Sequence, residues 1–138
     1  MAITLQTGKR FMSGCVEQGK QLGRTIGFPT ANLTIVSEVL PVQGVYGVYI
    51  YRGRNQYLGV MNIGHRPTFQ DGEHQTIEVH ILDFNEFIYG EMLVIEVLFP
   101  IRMERKFSSL ATLTAQLKKD VAFARTVFNE IQAHNVAI

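Results

Sequence analysis

Cysteine is almost missing from this chain of 138 residues: Cys15 stands alone, which excludes an internal disulfide and fits a reducing compartment. Long apolar runs are missing too. No stretch approaches a bilayer span, and the N-terminus carries no signal-like apolar segment. Charge is nearly balanced at +1, so no broad basic face calls for nucleic acid. The histidines (His65, His74, His80, His134) include no pair at helical metal-ligand spacing, which argues against a zinc site. Internal repeats and low-complexity linkers are absent. What is present is an ordinary globular balance, 46% apolar and 18% charged, in a length suited to one domain with one core. A cytoplasmic domain without a membrane or nucleic-acid partner is the expectation.

The most informative stretch is GKQLGRTIGFPTAN, residues 19–32. Gly19, Gly23 and Gly27 recur at four-residue spacing around Arg24, and the chain then turns through Pro29 into Thr30 and Asn32. Glycines let a backbone approach a bulky anion, because no Cβ stands in the way. Arg24 adds a fixed positive charge, and the Thr30 hydroxyl is of the kind that joins a magnesium shell. Together they point to a nucleotide-phosphate site made from a loop and a strand end. A Walker-type loop is rejected. Gly14 to Gln21 nearly fits its pattern, but Gln21 stands where the metal-binding hydroxyl belongs, and Gly23, Gly27 and Pro29 are poor helix material.

The middle of the chain reads as strands separated by turn signals, at roughly Arg10–Val16, Thr30–Val36, Gly44–Arg52, Gln56–Gly64, Gln75–Leu82 and Met92–Ile101. A short glycine-containing hairpin is expected at Arg52-Gly53-Arg54-Asn55. In Val45–Tyr51 and Leu93–Phe99 both alternating faces are apolar or aromatic, so those strands need cover on both sides. A closed antiparallel barrel with a helix packed outside satisfies that need. From Ser108 onward Leu110, Leu113, Leu117, Val121, Ala124, Phe128 and Ile131 recur as one helical stripe. Ser108 or Ser109 supplies the N-cap oxygen. Residues 1–9 read as a leading tail and 10–138 as the domain.

Candidate chemistry lies at the strand ends. Glu78 and His80 share one face of a strand whose other face is Ile77, Val79 and Ile81. The strand alone favours a solvated or ion-paired glutamate; the alternative is a general base at a pocket rim. The connection Pro100–Phe107 reads either as a solvated loop or as a flap that stacks an aromatic on a planar ligand and places a guanidinium near phosphate.

With these motifs in view, the chain resembles the riboflavin kinase family, especially the C-terminal kinase module of bacterial bifunctional riboflavin kinase/FAD synthetases. The resemblance runs from Arg10 to about Ile131. It rests on GxxxGRxxGFPTAN, LPxxGVY at Leu40–Tyr46, NIGxRPTF at Asn62–Phe69, EVHILDF at Glu78–Phe84, Tyr89-Gly90, and IRxExKF at Ile101–Phe107, in one order. It implies a mainly β fold, a six-stranded antiparallel closed barrel with a C-terminal helix. It also implies transfer of the ATP γ-phosphoryl group to the 5′-hydroxyl of riboflavin, giving FMN.

By the same resemblance, Thr30 and Asn32 bind magnesium and nucleotide phosphates, Gly19 and Arg24 belong to a flap over the nucleotide, and Glu78 is the base. Ile81, Asp83 and Tyr89 approach the nucleotide, and Arg102, Arg105 and Phe107 form a flavin-side flap. The bifunctional relatives carry an N-terminal nucleotidyltransferase module, and this chain has neither its length nor its histidine motif, so FAD synthesis is not expected here. Leu5–Met12 resembles the junction between modules, which leaves open an excised module or a free-standing kinase. A non-catalytic flavin- or nucleotide-binding module and a barrel for protein–protein contacts are the other classes. The joint presence of Thr30, Asn32 and Glu78 argues for turnover.

Overall fold

The computed structural model describes residues 10–18, 27–35, 41–68 and 72–136. Its strands are β1 (Arg10–Glu17), β2 (Ala31–Ile35), β3 (Gly44–Arg52), β4 (Asn55–Thr68), β5 (Gly72–Ile81) and β6 (Met92–Arg102), followed by one helix, α1 (Leu110–Val136). The strands close into a barrel in the order β1-β2-β5-β4-β3-β6. Every pairing is antiparallel. This is the six-stranded barrel with a C-terminal helix that the alternation and the resemblance anticipate.

Period-two alternation divides each strand between two apolar environments. Met12, Val48, Ile50, Met61, Ile63, Val79, Leu93 and Ile95 fill the barrel interior. Val45, Val60 and Phe99 belong to a second cluster with Ala124, Val127 and Phe128 of α1. The doubly apolar β3 and β6 therefore have cover on both faces, as their sequences require. Phe128 is the centre of this outer layer. Its ring stacks on Tyr49 with centroids 6.0 Å apart and meets Phe99 edge-on at 5.2 Å.

Expectation and structure differ in two places. β4 and β5 continue past Gly64 and Gln75, pairing as far as Thr68 and Gly72 and passing through Pro67. Beyond Ile63 strand β4 has lost β3, and before Ile77 strand β5 has lost β2. Among the described residues the extension is thus a two-stranded arm, and proline is tolerated at a strand edge of that kind. Secondly, Leu110 heads the expected stripe but is 49% exposed, whereas Val127, which the stripe omits, is buried. The helix docks through residues 121–131, and its first turn relies on polar ties instead. Ser109 caps it: its Oγ accepts from the Thr112 amide at 3.2 Å.

Turns follow the residues that permit them. Arg52 pairs with Asn55, and Gly53, with φ of 59°, occupies the first position of the hairpin turn between them. Gly47 has a different role. It lies opposite Phe99, and a Cβ there would enter the Phe99 ring. The register between β3 and β6 shifts on either side of this contact, at Val45/Tyr46 and Gly47/Val48, which brings Phe99 under the helix. On the same outer surface Tyr51 donates to the buried Glu96 carboxylate at 2.6 Å. Burial first, and this bond second, push the Tyr51 hydroxyl up to about 12.

Gly47→Ala is expected to lower stability by about 1–3 kcal/mol through overpacking against Phe99. Urea unfolding checks this; an unchanged midpoint would show that the outer layer yields without cost.

Candidate functional site

One row of residues crosses the outer face of the barrel in register. Arg102 of β6 lies opposite Val45 of β3, Val45 opposite Asn62 of β4, Asn62 opposite Glu78 of β5, Glu78 opposite Asn32 of β2, and Asn32 opposite Glu17 of β1. Directly opposed residues in an antiparallel ladder share a face, with Cβ atoms about 4.5–5.5 Å apart. Ile77 and Val79 point into the core on either side of Glu78, so its carboxylate is committed to the outer face. Asn32, Asn62 and Glu78 are each half-buried. The carboxylate and the asparagine that the sequence separates by more than forty positions are thus neighbours.

Beside the row, a cavity of about 220 Å³ opens at one end of the barrel. Among its lining residues are Thr30, Ile81 and Tyr89, three of the expected nucleotide-site positions. Thr30 joins cavity and row. It lines the cavity together with Ala31, at the entry to β2, and stands two residues before Asn32. Glu78 is not part of the cavity wall. It lies on the barrel's flank next to the opening.

The 27–30 segment is held in place by His80. The His80 ring meets Phe28 edge-on at 5.6 Å, and Nδ1 lies 2.7 Å from the Pro29 carbonyl. A carbonyl only accepts, so Nδ1 donates. Opposite the 27–30 segment, the chain from Phe84 to Glu91 closes the cavity's other side, anchored by Arg52. That guanidinium donates to both Glu91 oxygens at 2.8 and 3.0 Å and to Glu86 at 3.1 Å. Arg52 chiefly depresses the Glu91 pKa in consequence. His80 and Arg52 are positioning residues that sequence reasoning passed over. The spacing of His80 two residues after Glu78 was a signal for the first, whereas nothing local pairs Arg52 with Glu91.

The expected flavin-side residues form a cluster at the start of the helix. Arg102 donates from Nε and Nη2 to Asp120, at 2.9 to 3.0 Å, and Asp120 is only 2% exposed. Gln116 donates to the same carboxylate at 2.9 Å. Phe107 is flanked by two guanidinium groups, with Arg102 at 5.5 Å and Arg105 at 4.6 Å from the ring centroid. Asp83 follows β5 in a left-handed turn, φ 56°, and accepts from Arg125 of the helix at 3.0 and 3.2 Å. Gly19 and Arg24 lie outside the described residues.

The profile of the Flavokinase (riboflavin kinase) family matches residues 7–128. The RNA-binding riboflavin kinase RibR of Bacillus subtilis is 47% identical over 80% of this chain and 48% of its own length. The bifunctional riboflavin kinase/FMN adenylyltransferase of Haemophilus influenzae is 45% identical over 84% of this chain and 38% of its own. A solved riboflavin kinase from Trypanosoma brucei superposes with a TM-score of 0.60 at 27% identity, covering 90% of this chain and 82% of that one. Barrel and C-terminal helix are the fold of that riboflavin kinase. The chain belongs to the riboflavin kinase family. It spans less than half the length of these two curated relatives, the second of which carries an FMN adenylyltransferase as well.

Hydrogen bonding to Arg125, then its charge, holds the Asp83 carboxyl below its ordinary 3.8. A folded-state pKa below the unfolded one contributes stability above the unfolded value, and this is lost as pH falls through the folded value. A carboxyl-carbon NMR titration of Asp83 should therefore show a midpoint below 3.8, and Arg125→Gln should raise it. A midpoint indifferent to Arg125 would assign the shift elsewhere.

Proposed function

We propose that this chain is a riboflavin kinase, transferring the γ-phosphoryl group of ATP to the 5′-hydroxyl of riboflavin to give FMN and ADP. The observation that carries the reading is the register that sets Glu78 directly opposite Asn32, two residues from Thr30 at the cavity lip. Phosphoryl transfer asks for alignment, charge neutralisation and exclusion of water more than for covalent work. Glu78 orients the primary hydroxyl and takes its proton as the new O–P bond forms and the bond to ADP breaks. An alcohol is far too weak an acid to ionise beforehand, so orientation is the larger part of that duty.

The donor set suits magnesium. Thr30 and Asn32 offer neutral oxygens, and among the described residues no group of three or more His, Cys, Asp or Glu forms a closed cage. Magnesium generally takes few protein ligands and completes its shell with phosphate oxygens and water. Thr30 and Asn32 would hold it, and when bound it would offset phosphate charge. Ile81 and Tyr89 then serve the nucleotide from the cavity side and Asp83 from the turn after β5, with Gly19 and Arg24 closing over it. Arg102, Arg105 and Phe107 serve the flavin, Phe107 offering a ring face and Arg102 holding the segment to the helix through Asp120. The domain occupies 10–138, preceded by a tail, and works in the cytoplasm on small molecules. In a longer protein an N-terminal nucleotidyltransferase module would make FAD.

Mixing the protein with riboflavin, ATP and magnesium should yield FMN by chromatography, and no FMN would reject the reading. Glu78→Gln should lower kcat by about 10²–10⁴ while the fold and riboflavin binding persist. A near-normal kcat would remove Glu78 from the role of base. Thr30→Ala should weaken binding of the magnesium–ATP complex by calorimetry; unchanged affinity would move the metal elsewhere.

A further inference from the structure

The buried Asp120 carboxylate is engaged at both oxygens. Oδ1 accepts from Arg102 Nε and from Gln116 Nε2, each at 2.9 Å, and Oδ2 accepts from Arg102 Nε at 3.0 Å and Nη2 at 2.9 Å. Gln116 lies one turn before Asp120 on the same face of α1. With its amide nitrogen committed to Asp120, its Oε1 accepts from Arg105 Nη1 at 3.4 Å. The two guanidinium groups that flank Phe107 are therefore both tied to one helix. Docking does not require these ties. The helix is seated through apolar residues 121–131, and a buried ion pair is often replaceable by apolar side chains without loss of stability. What apolar side chains cannot supply is direction. A forked pair fixes the plane of the guanidinium.

We propose that Asp120 and Gln116 are positioning residues for the flavin side of the reaction, holding Arg102 and Arg105 about Phe107 so that the helix sets affinity for the planar ring of the acceptor. The inference rests on the kinase reading and deepens it by adding helix residues to the acceptor's site. Asp120 is 2% exposed, so it acts through Arg102 and not on a ligand. Along the row Arg102 stands three strands from Glu78, across Val45 and Asn62. Neighbouring strands are about 4.8 Å apart, so this end of the row lies roughly 14 Å from Glu78 along the sheet. It is out of reach of the reacting groups and suits the end of the acceptor remote from its reacting hydroxyl. The charge of Arg102 is matched by Asp120, so its part is to orient Phe107 rather than to meet phosphate.

The test pairs Gln116→Leu, which keeps the volume and the ion pair but removes both amide contacts, with Asp120→Asn, which keeps the shape and removes the anion. Assayed well below each variant's thermal midpoint, KM for riboflavin should rise about 3- to 10-fold in the first and at least as much in the second. KM for magnesium–ATP should be unchanged. Lumiflavin, the ring without the hydroxyl-bearing chain, should lose affinity by the same factor, read by quenching of its fluorescence. A merely structural role would move neither flavin readout at that temperature. Should Asp120→Asn fail to fold, Gln116→Leu decides alone. Unchanged riboflavin KM and lumiflavin affinity in that variant would overturn the proposal, as would KM values for riboflavin and magnesium–ATP that rise together. A loss seen with riboflavin but not with lumiflavin would also overturn it, by placing the effect on the chain instead of the ring. Failure of the unaltered chain to make FMN would reject the kinase reading itself, a result on which lumiflavin binding does not depend.

Discussion

The register of β2 and β4 against β5 is the constraint on which the candidate site depends. Alternation in a strand has period two, so a slip of one residue would turn Glu78 into the core and Ile77, Val79 and Ile81 outward. Each of those three is buried, and burying such a side chain contributes about 1.5–3 kcal/mol. Apolar packing inside the barrel thereby fixes a polar alignment outside it. Barrel closure strengthens the effect, because β5 is registered from both sides and a slip would have to be accommodated around the ring.

The helix and the strand-end connections convert that alignment into a site with walls. Arg102 is the hinge of this arrangement: it is the last residue of β6, a member of the polar row, and the partner of the buried Asp120. Removing either member of such a pair leaves a charge stranded in a poorly solvated place, which is far more costly than the pair is stabilising. At the cavity end Arg52 does the comparable work on the surface, forking onto Glu91 and reaching Glu86. Exposed pairs of this kind contribute little to stability, so its effect is on where the 84–91 segment sits.

The barrel was legible because β3 and β6 are apolar on both faces, a pattern that demands two covers. The Gly53 hairpin and the Ser109 cap were legible because their chemistry is local. Glu78 was only half legible. Alternation gave its face, but its proximity to Asn32 follows from pairing between strands far apart in sequence, and only the motif resemblance anticipated it. Asn62 stands within a motif, but its place in the polar row follows only from the pairing of β4 with β5. The β4–β5 arm was cut short for a similar reason. Gly64 and Pro67 read as terminators, yet Gly64 leaves space for Glu104, and at Pro67 strand β4 pairs with β5 alone among the described residues. Leu110 fitted the stripe's period but not the helix's actual footprint, which depends on the position of Phe99 and so on the β3–β6 register shifts.

The outer apolar layer and the polar row share the same face of the barrel, so whatever holds one in place bears on the other. Phe128 bridges Tyr49 and Phe99, and Val45, which stands in the row between Asn62 and Arg102, belongs to the same apolar cluster. Docking of the helix on that cluster and alignment of the row therefore meet at Val45, on the face of the barrel opposite its core.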